Sequence, residues 1–470
     1  MLTKSEFLSY LDSPVHFWAQ RNNQAVHIPL SMFEQHLFEQ GKEAEILAKR
    51  YMYEVVAPKY EDAEILWQPK YKTKQFEAIA DAVIYDRRND VYDVYEIKSS
   101  TRVKPEHAYD VTFQAIVAAE SINIRNVNLV HLNRDYVRQG EININELFVV
   151  VNLNDEVGLR TDEVQIQIQN ALAIAKLPNP TNLETCLVPR DCPCKSICHP
   201  NLREGSIFEI NGLRKKKKIE LLAMNVGTIA EVPADFALPP GQLRQVQSAQ
   251  SGAVLIEIEA IREELSMLEY PLYFVDYEAF NPAIPYFDGY RPYQYIPFQY
   301  SLHIIEENGS KTEQIEYLDL DAGDPAERLA NHLLNHIGKS GSLIVWNKSF
   351  EMGRHREMAQ MYAELRDQLL ALNERVYDLM QLFRKGHYAH PKFKGKYSIK
   401  KVLPVLVPGL SYESLNIPNG AETMLIWNDI HLGKYPKERI EGTTVDMLEY
   451  CKLDTLAMVR IWEHLNEIIE

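Results

Sequence analysis

Apolar positions in the N-terminal part of the chain change their period from helical to alternating. Phe38-Glu-Gln-Gly-Lys-Glu-Ala-Glu-Ile-Leu-Ala-Lys-Arg-Tyr spaces them for one face of a helix. Phe76-Glu-Ala-Ile-Ala-Asp-Ala-Val-Ile-Tyr and Val91-Tyr-Asp-Val-Tyr-Glu-Ile-Lys alternate, or concentrate β-branched and aromatic residues. They predict two strands joined by the turn Arg87-Arg-Asn-Asp. A helix at about 109–122 and strands near 127–132 and 146–152 complete an α/β pattern. Residues 201–268 read as mostly helical, interrupted by Pro233, Pro239 and Pro240. Beyond them come three strand patterns, Tyr270-Pro-Leu-Tyr-Phe-Val-Asp-Tyr-Glu, Phe298-Gln-Tyr-Ser-Leu-His-Ile-Ile and Ile315-Glu-Tyr-Leu-Asp-Leu. A helix near 324–337, the strand Ser342-Leu-Ile-Val-Trp and further helices follow, a second α/β layer.

The chain has 470 residues, too many for one hydrophobic core, and the pattern divides it at 1–200, 201–268 and 269–470. With 46% hydrophobic and 25% charged residues the composition is that of a globular protein. No apolar run reaches membrane-spanning length. Glu6, Asp12 and Ser13 interrupt any leader-like core at the start, so the expected location is the cytoplasm, with no membrane partner. The net charge of −16 argues against a protein that coats nucleic acid. It leaves room for an enzyme that gathers carboxylates around metal and confines its basic residues to one face. Arg214-Lys-Lys-Lys-Lys218 is either a solvated helix face or a phosphate-contacting stretch. Lys215 to Pro233, with Gly227 between two apolar pieces, resembles a helix–hairpin–helix.

Asp276 and Glu278 are two apart on an otherwise apolar strand, so both project from one face, about 7 Å apart. Two carboxylates there need solvent or cations. Val345-Trp-Asn-Lys-Ser-Phe-Glu351 carries an apolar strand through Asn347 to an acid at the start of a helix. Tyr450 and Asp454 are four apart in a helical pattern and share a face. Val376-Tyr-Asp378 adds an acid after a short strand. Lys392-Phe-Lys-Gly-Lys-Tyr-Ser-Ile-Lys-Lys401 interleaves bases with aromatics, a path for a nucleic-acid strand or a solvated surface. The tyrosine-rich block from Gly289 to Ser301 is either a base-stacking surface or sheet packing.

This succession resembles the tyrosine-bearing subclass of the DEDD 3′–5′ exonucleases, which are RNase H-like. Asp276 and Glu278 match its D-x-E strand, Asn347 to Glu351 match an Asn-x-x-x-Asp step with Glu in place of Asp, and Tyr450 to Asp454 match Tyr-x-x-x-Asp. The resemblance implies that the four carboxylates bind two Mg²⁺ or Mn²⁺ ions and that Tyr450 helps orient the attacking water. Two such ions, about 3.5–4 Å apart, suit phosphodiester hydrolysis, and hard cations suit carboxylate oxygens. Glu351 keeps an oxygen donor, but its longer arm moves it. The Lys392–Lys401 stretch also resembles the Ser-Leu-Lys segment of related exonucleases.

In the N-terminal part Asp81 sits in one apolar strand and Glu96-Ile-Lys98 in the next, with fourteen residues between Asp81 and Glu96. A hairpin brings Asp81 across from Glu96, and alternation puts Lys98 on the face of Glu96. The pattern resembles the PD-(D/E)XK nuclease core, and Gln114 matches the downstream glutamine of its RecB-like branch. The resemblance implies that Asp81 and Glu96 bind metal and that Lys98 activates water or stabilises phosphate charge. Four of the five cysteines, Cys186, Cys192, Cys194 and Cys198, lie within thirteen residues. Such a cluster favours metal ligation over disulfides in this setting. RecB-like nucleases of the CRISPR-adaptation and helicase–nuclease types hold a [4Fe–4S] cluster with one N-terminal and three C-terminal cysteines. Ser13 stands where that family has its N-terminal cysteine. Cys194 offers the cluster a fourth thiolate in its place; the alternatives are a Zn²⁺ site with His199, or no bound metal.

The whole chain thus resembles a RecB-like PD-(D/E)XK domain, a helical middle, and an RNase H-like domain of a family without an assigned function. The resemblance implies a metal-dependent nuclease acting on DNA or RNA, with a helicase or a defence or repair protein as partner. The competing expectations are a nucleic-acid-binding scaffold with one or both sites inactive, and a small-molecule phosphoesterase.

Overall fold

Alternation of apolar side chains builds two five-stranded mixed sheets, one in each of two units. The computed structural model describes residues 1–470; unit 1 is Met1–Asn201 with Pro282–Gln294, and unit 2 is Leu202–Asn281 with Tyr295–Glu470. The expected α/β architecture with a helical middle is present. No helix is long and apolar enough to cross a membrane.

Unit 1 opens with α1 (Lys4–Asp12), α2 (Pro14–Arg21) and α3 (Met32–Tyr51). Thr3 and Glu6 form a capping box on α1, and Ser13 caps α2 ahead of Pro14 at the first helical position. The sheet runs in chain order as β1 (Ala63–Trp67), β2 (Ala82–Asp86), β3 (Val91–Lys98), β4 (Ile124–Leu132) and β5 (Phe148–Asn152). Only β3 and β4 are parallel, and α4 (Pro105–Ala118) connects them. Helix α5 (Asn154–Ile174) packs on α4 and was not anticipated. Only Val164, Ile168 and Ala171 of its twenty-one residues are buried, so its apolar stripe is faint.

The run Phe76–Tyr85 is not one strand, as expected, but two. Phe76–Ile79 pairs with Leu2–Thr3 and Lys70–Lys72 in a small sheet, and β2 begins at Ala82. Asp81 therefore lies in the break between strands rather than within one.

In unit 2 the middle segment carries α6 (Lys215–Ala223), α7 (Pro240–Ser251) and α8 (Ile258–Ser266). The second helix of the expected helix–hairpin–helix is a single 3-10 turn, Ile229–Glu231. Lys217 and Lys218 lie over the rings of Phe236 and Phe208, at 4.4 and 5.7 Å, so two of the five bases in the run cover apolar surface. The sheet consists of β6 (Leu272–Phe280), β7 (Ile296–Ile305), β8 (Glu313–Leu318), β9 (Ser342–Val345) and β10 (Val376–Asp378). Its spatial order is β8-β7-β6-β9-β10. β7 is antiparallel to both neighbours, while β6, β9 and β10 are parallel. Gly341 has φ +92°, and a Cβ there would lie 2.2 Å from the Pro271 carbonyl oxygen, so only glycine leads the chain into β9 beside β6. Helices α9 (Ala326–Leu334), α10 (Lys348–Met361) and α11 (Arg366–Glu374) close one apolar core around Tyr273, Val275 and Leu343. Then come α12 (Ile399–Leu406), α13 (Gly420–His431) and α14 (Ile440–Ile469), the last packed on β6 and β7. Tyr290 and Tyr300 of the tyrosine-rich block are fully buried, which favours packing over base stacking there.

Candidate functional site

In unit 2 the carboxylates converge because α14 is locked in register over the sheet. Gln299 on β7 donates to the Met447 carbonyl at 2.7 Å, and the Ser301 and Thr455 hydroxyls bond at 2.7 Å. Ser301 is the register partner of Asp276, so the bond at Thr455 sets the preceding residue, Asp454, over β6. Oxygens of Asp276, Glu278 and Asp454 all lie within 4.8 Å of one another, a group able to hold a metal ion.

Glu351 falls outside that tight group. It sits in the first turn of α10 behind Asn347, 3% exposed, with Oε2 buried and unpartnered. Its charge is nevertheless felt at Asp276. Asp378 is buried as well, but its carboxylate accepts from the backbone amides of Lys348 and Met380, at 3.3 and 3.2 Å, and so serves the turn.

The electrostatics of the group follow from crowding. Surrounding protein withholds water from Asp276, and Asp454, Glu278 and Glu351 add repulsion, so its pKa rises well above the carboxylate range. Burial pushes Glu278 up to about 8, with help from Asp454, and Glu351 up to about 8, with help from Asp378. Asp454 reaches about 6, because hydrogen bonds from Tyr412 and Tyr450 and the charge of Lys400 oppose its burial. The Tyr412 hydroxyl donates to Asp454 Oδ1 at 2.6 Å. Lys400 lies over the Tyr412 and Tyr450 rings at 5.0 and 4.7 Å; burial outweighs the acids and lowers its pKa. Three carboxyls within 4.8 Å of one another, with the orphaned buried oxygen of Glu351 behind Asp276, fit a hard divalent cation.

No local spacing points to Tyr412 or Gly420, and Lys400 stands in the sequence within the basic Lys392–Lys401 stretch. Gly420 begins α13, and a Cβ on it would lie 2.9 Å from Glu278 Oε2, at the movable end of that side chain. Gly420→Ala should therefore leave the unfolding midpoint nearly unchanged but displace Glu278. About tenfold weaker Mn²⁺ binding is expected, on the order of 1.4 kcal/mol, as read by calorimetric titration. Unaltered Mn²⁺ affinity would exclude Glu278 as a ligand.

Unit 1 holds a second polar cluster. β3 presents Glu96 and Lys98 on one face, and α4 presents Asp110 and Gln114 four residues apart. Lys98 Nζ lies 2.6 Å from Glu96 and 2.8 Å from Asp110; Lys4 Nζ lies 2.9 and 3.3 Å from the same two acids. Gln114 donates to both, at 2.7 and 2.8 Å. Asp81 Oδ2 accepts from the Ile97 amide at 2.8 Å, opposite Glu96, and so is drawn in from the strand break. Burial, then Asp110 and Asp81, push Glu96 up to about 7. Burial opposes charge on Asp110 and Lys98 too, but mutual attraction prevails, lowering the first pKa and raising the second. Asp110 is an addition to the residues expected from the sequence; its position four before Gln114 on one helix face is the signal that points to it. Lys4, ninety-two residues from Glu96, has no such signal.

The cysteines gather in unit 1 with an unexpected companion. Sγ of Cys186, Cys192 and Cys198 and a ring nitrogen of His16 lie within 4.8 Å of one another. Cys194 is outside that group, with its Sγ 3.6 Å from that of Cys198. His199 Nε2 is 3.2 Å from Cys186 Sγ.

Residues 273–398 match the family described as Domain of unknown function (DUF2779), a span that holds Asp276, Glu278 and Glu351 but ends before Asp454. The chain is 28% identical over 219 residues to the uncharacterized protein UU173 of Ureaplasma parvum, covering 42% of this chain and 31% of that protein. It is 26% identical over 219 residues to the uncharacterized MG366 homolog of Mycoplasma pneumoniae, 43% and 33% of the two chains. The chain thus spans about a third of the length of these relatives. No solved structure matches it.

Proposed function

We propose that this chain is a metal-dependent nuclease whose unit 2 is an RNase H-like 3′–5′ exonuclease and whose unit 1 is a PD-(D/E)XK domain acting on DNA or RNA. The observation that carries this reading is the meeting of Asp276, Glu278 and Asp454 on β6 and α14, with Tyr450 beside them. The β8-β7-β6-β9-β10 order with β7 alone reversed supports an RNase H-like sheet. When bound, Mg²⁺ or Mn²⁺ supplies charge stabilisation to the phosphoryl group and acidifies water at neutral pH. Asp276, Glu278 and Asp454, with Glu351 behind them, would hold the cations. Tyr412 fixes the Asp454 carboxylate by a hydrogen bond to Oδ1, with Tyr450 beside it, which leaves the remaining lone pairs for metal. Lys400 brings a positive charge to the rim for the phosphate.

In unit 1 both lysines already occupy Glu96 and Asp110. That favours, for this unit, a second reading as a nucleic-acid-binding domain that does not cut.

The test is incubation of the full chain with end-labelled single- and double-stranded DNA and RNA in Mn²⁺ or Mg²⁺, beside Asp276→Ala and Lys98→Ala. Stepwise shortening from 3′ ends that Asp276→Ala abolishes is expected. If wild type cuts no substrate, or Asp276→Ala cuts like wild type, the exonuclease reading fails. Internal cutting lost only in Lys98→Ala would assign activity to unit 1.

A further inference from the structure

The cysteine cluster of unit 1 answers to a different metal chemistry from the one its resemblance implies. In a [4Fe–4S] cube each thiolate binds its own iron and points outward, so the four sulfurs stand well apart. Here three sulfurs and one imidazole nitrogen lie mutually within 4.8 Å. Tetrahedral bonds of about 2.3 Å to sulfur and 2.0 Å to nitrogen place such ligands roughly 3.5–3.8 Å apart. His16 Nε2 and Cys192 Sγ are already 3.3 Å apart. His16, Cys186, Cys192 and Cys198 therefore fit one ion and not a cube; Cys194 Sγ, 3.6 Å from Cys198, and His199 Nε2, 3.2 Å from Cys186, each approach one of the four but lie outside the group.

The local sequence explains the substitution. Ser13, where the resembling family has cysteine, is buried and accepts the His16 amide at 3.4 Å as the cap of α2. Residue 13 is thus committed to the helix, and His16, one turn on, presents its ring to the thiolates. The other ring nitrogen, Nδ1, lies 3.2 Å from Asp12 Oδ2. A carboxylate behind the far nitrogen is how metal-bound histidines have their tautomer and orientation fixed. Val15, Trp18 and Ala19 on α2 pack around the cysteines, which shields the position from water.

We propose that His16, Cys186, Cys192 and Cys198 bind a single Zn²⁺ ion as a structural Cys₃His site, which ties α2 to the 186–198 segment. Cys194 is not a ligand. The site closes a loop of some 170 residues within unit 1, and its metal contributes folding free energy directly.

The full chain, made with both iron and zinc available and purified anaerobically, is expected to be colourless and to carry one zinc per chain. Replacing zinc by Co²⁺ should give the visible bands of tetrahedral cobalt with thiolate charge transfer. His16→Ala and Cys198→Ser should release metal to a chelator at least tenfold more readily, and Cys194→Ser should retain it. His16→Cys preserves the ligand number; the cobalt protein should then gain thiolate charge-transfer intensity. A brown protein with iron and labile sulfide, or wild type without stoichiometric metal, overturns the proposal. So does an unchanged cobalt spectrum in His16→Cys, or loss of metal in Cys194→Ser with retention in His16→Ala.

Discussion

Asp454→Asn is expected to lower Mn²⁺-dependent cleavage about a thousandfold or more, and to stabilise the metal-free protein. The first effect follows from removing a ligand charge at the centre of the group: losing about 4 kcal/mol of transition-state stabilisation corresponds to that factor. The second follows from crowding. Asp276, Glu278, Glu351 and Asp454 all have pKa values above the carboxylate range, so each binds its proton more tightly folded than unfolded. Folding then takes up protons, and stability falls as pH rises from about 4, the unfolded value. The fall continues through about 6 for Asp454 and about 8 for Glu278 and Glu351. Asparagine removes one of these charges and keeps an oxygen for the Tyr412 hydroxyl. Scanning calorimetry in a chelator should show wild type melting lower at pH 8 than at pH 5, with Mn²⁺ restoring most of the difference. Asp454→Asn should show a smaller pH dependence and a smaller gain from Mn²⁺. A wild-type midpoint indifferent to both pH and Mn²⁺ would mean that Asp276, Glu278 and Asp454 do not form a cation site.

Lys98→Met should cost about 3 kcal/mol of folding stability at pH 8, and less at pH 5. Glu96 is almost fully buried, and Lys98 and Lys4 share it with Asp110. Removing one partner of a buried ion pair leaves the other charge without compensation, which is the expensive way to break it. The pH dependence has a definite sign. Glu96 has its pKa raised to about 7, so at pH 5 it carries its proton and only Asp110 loses a counter-charge when Lys98 goes, whereas at pH 8 both acids are charged. Denaturant midpoints at the two pH values measure this. Adding Glu96→Gln to Lys98→Met should recover much of the loss at pH 8, since an amide needs no counter-ion. Equal midpoints for wild type and Lys98→Met at pH 8 would show that Lys4 and Gln114 compensate the acids by themselves.

Much of each cluster was readable because its chemistry is local. Glu96 and Lys98, like Asp276 and Glu278, obey the two-residue period of a strand. Tyr450 and Asp454, like Asp110 and Gln114, obey the four-residue spacing of a helix face. The apolar pattern from Phe76 runs through Asp81 without a break because alternation reports a face, not a partner: residues on either side of the break pair with different sheets.

The α/β layers, the helical middle and the pairs Glu96 with Lys98, Asp276 with Glu278 and Tyr450 with Asp454 are legible in the chain, since they depend on period and side-chain type. The tertiary structure alone decided which residues meet. It brought Lys4 to Glu96 and Tyr412 to Asp454, set His16 beside Cys192, and left Cys194 out. It also separated Glu351 from the tight group around Asp276. Those outcomes depend on helix register and sheet order, fixed by contacts such as that of Ser301 with Thr455 across 154 residues, which no local spacing encodes.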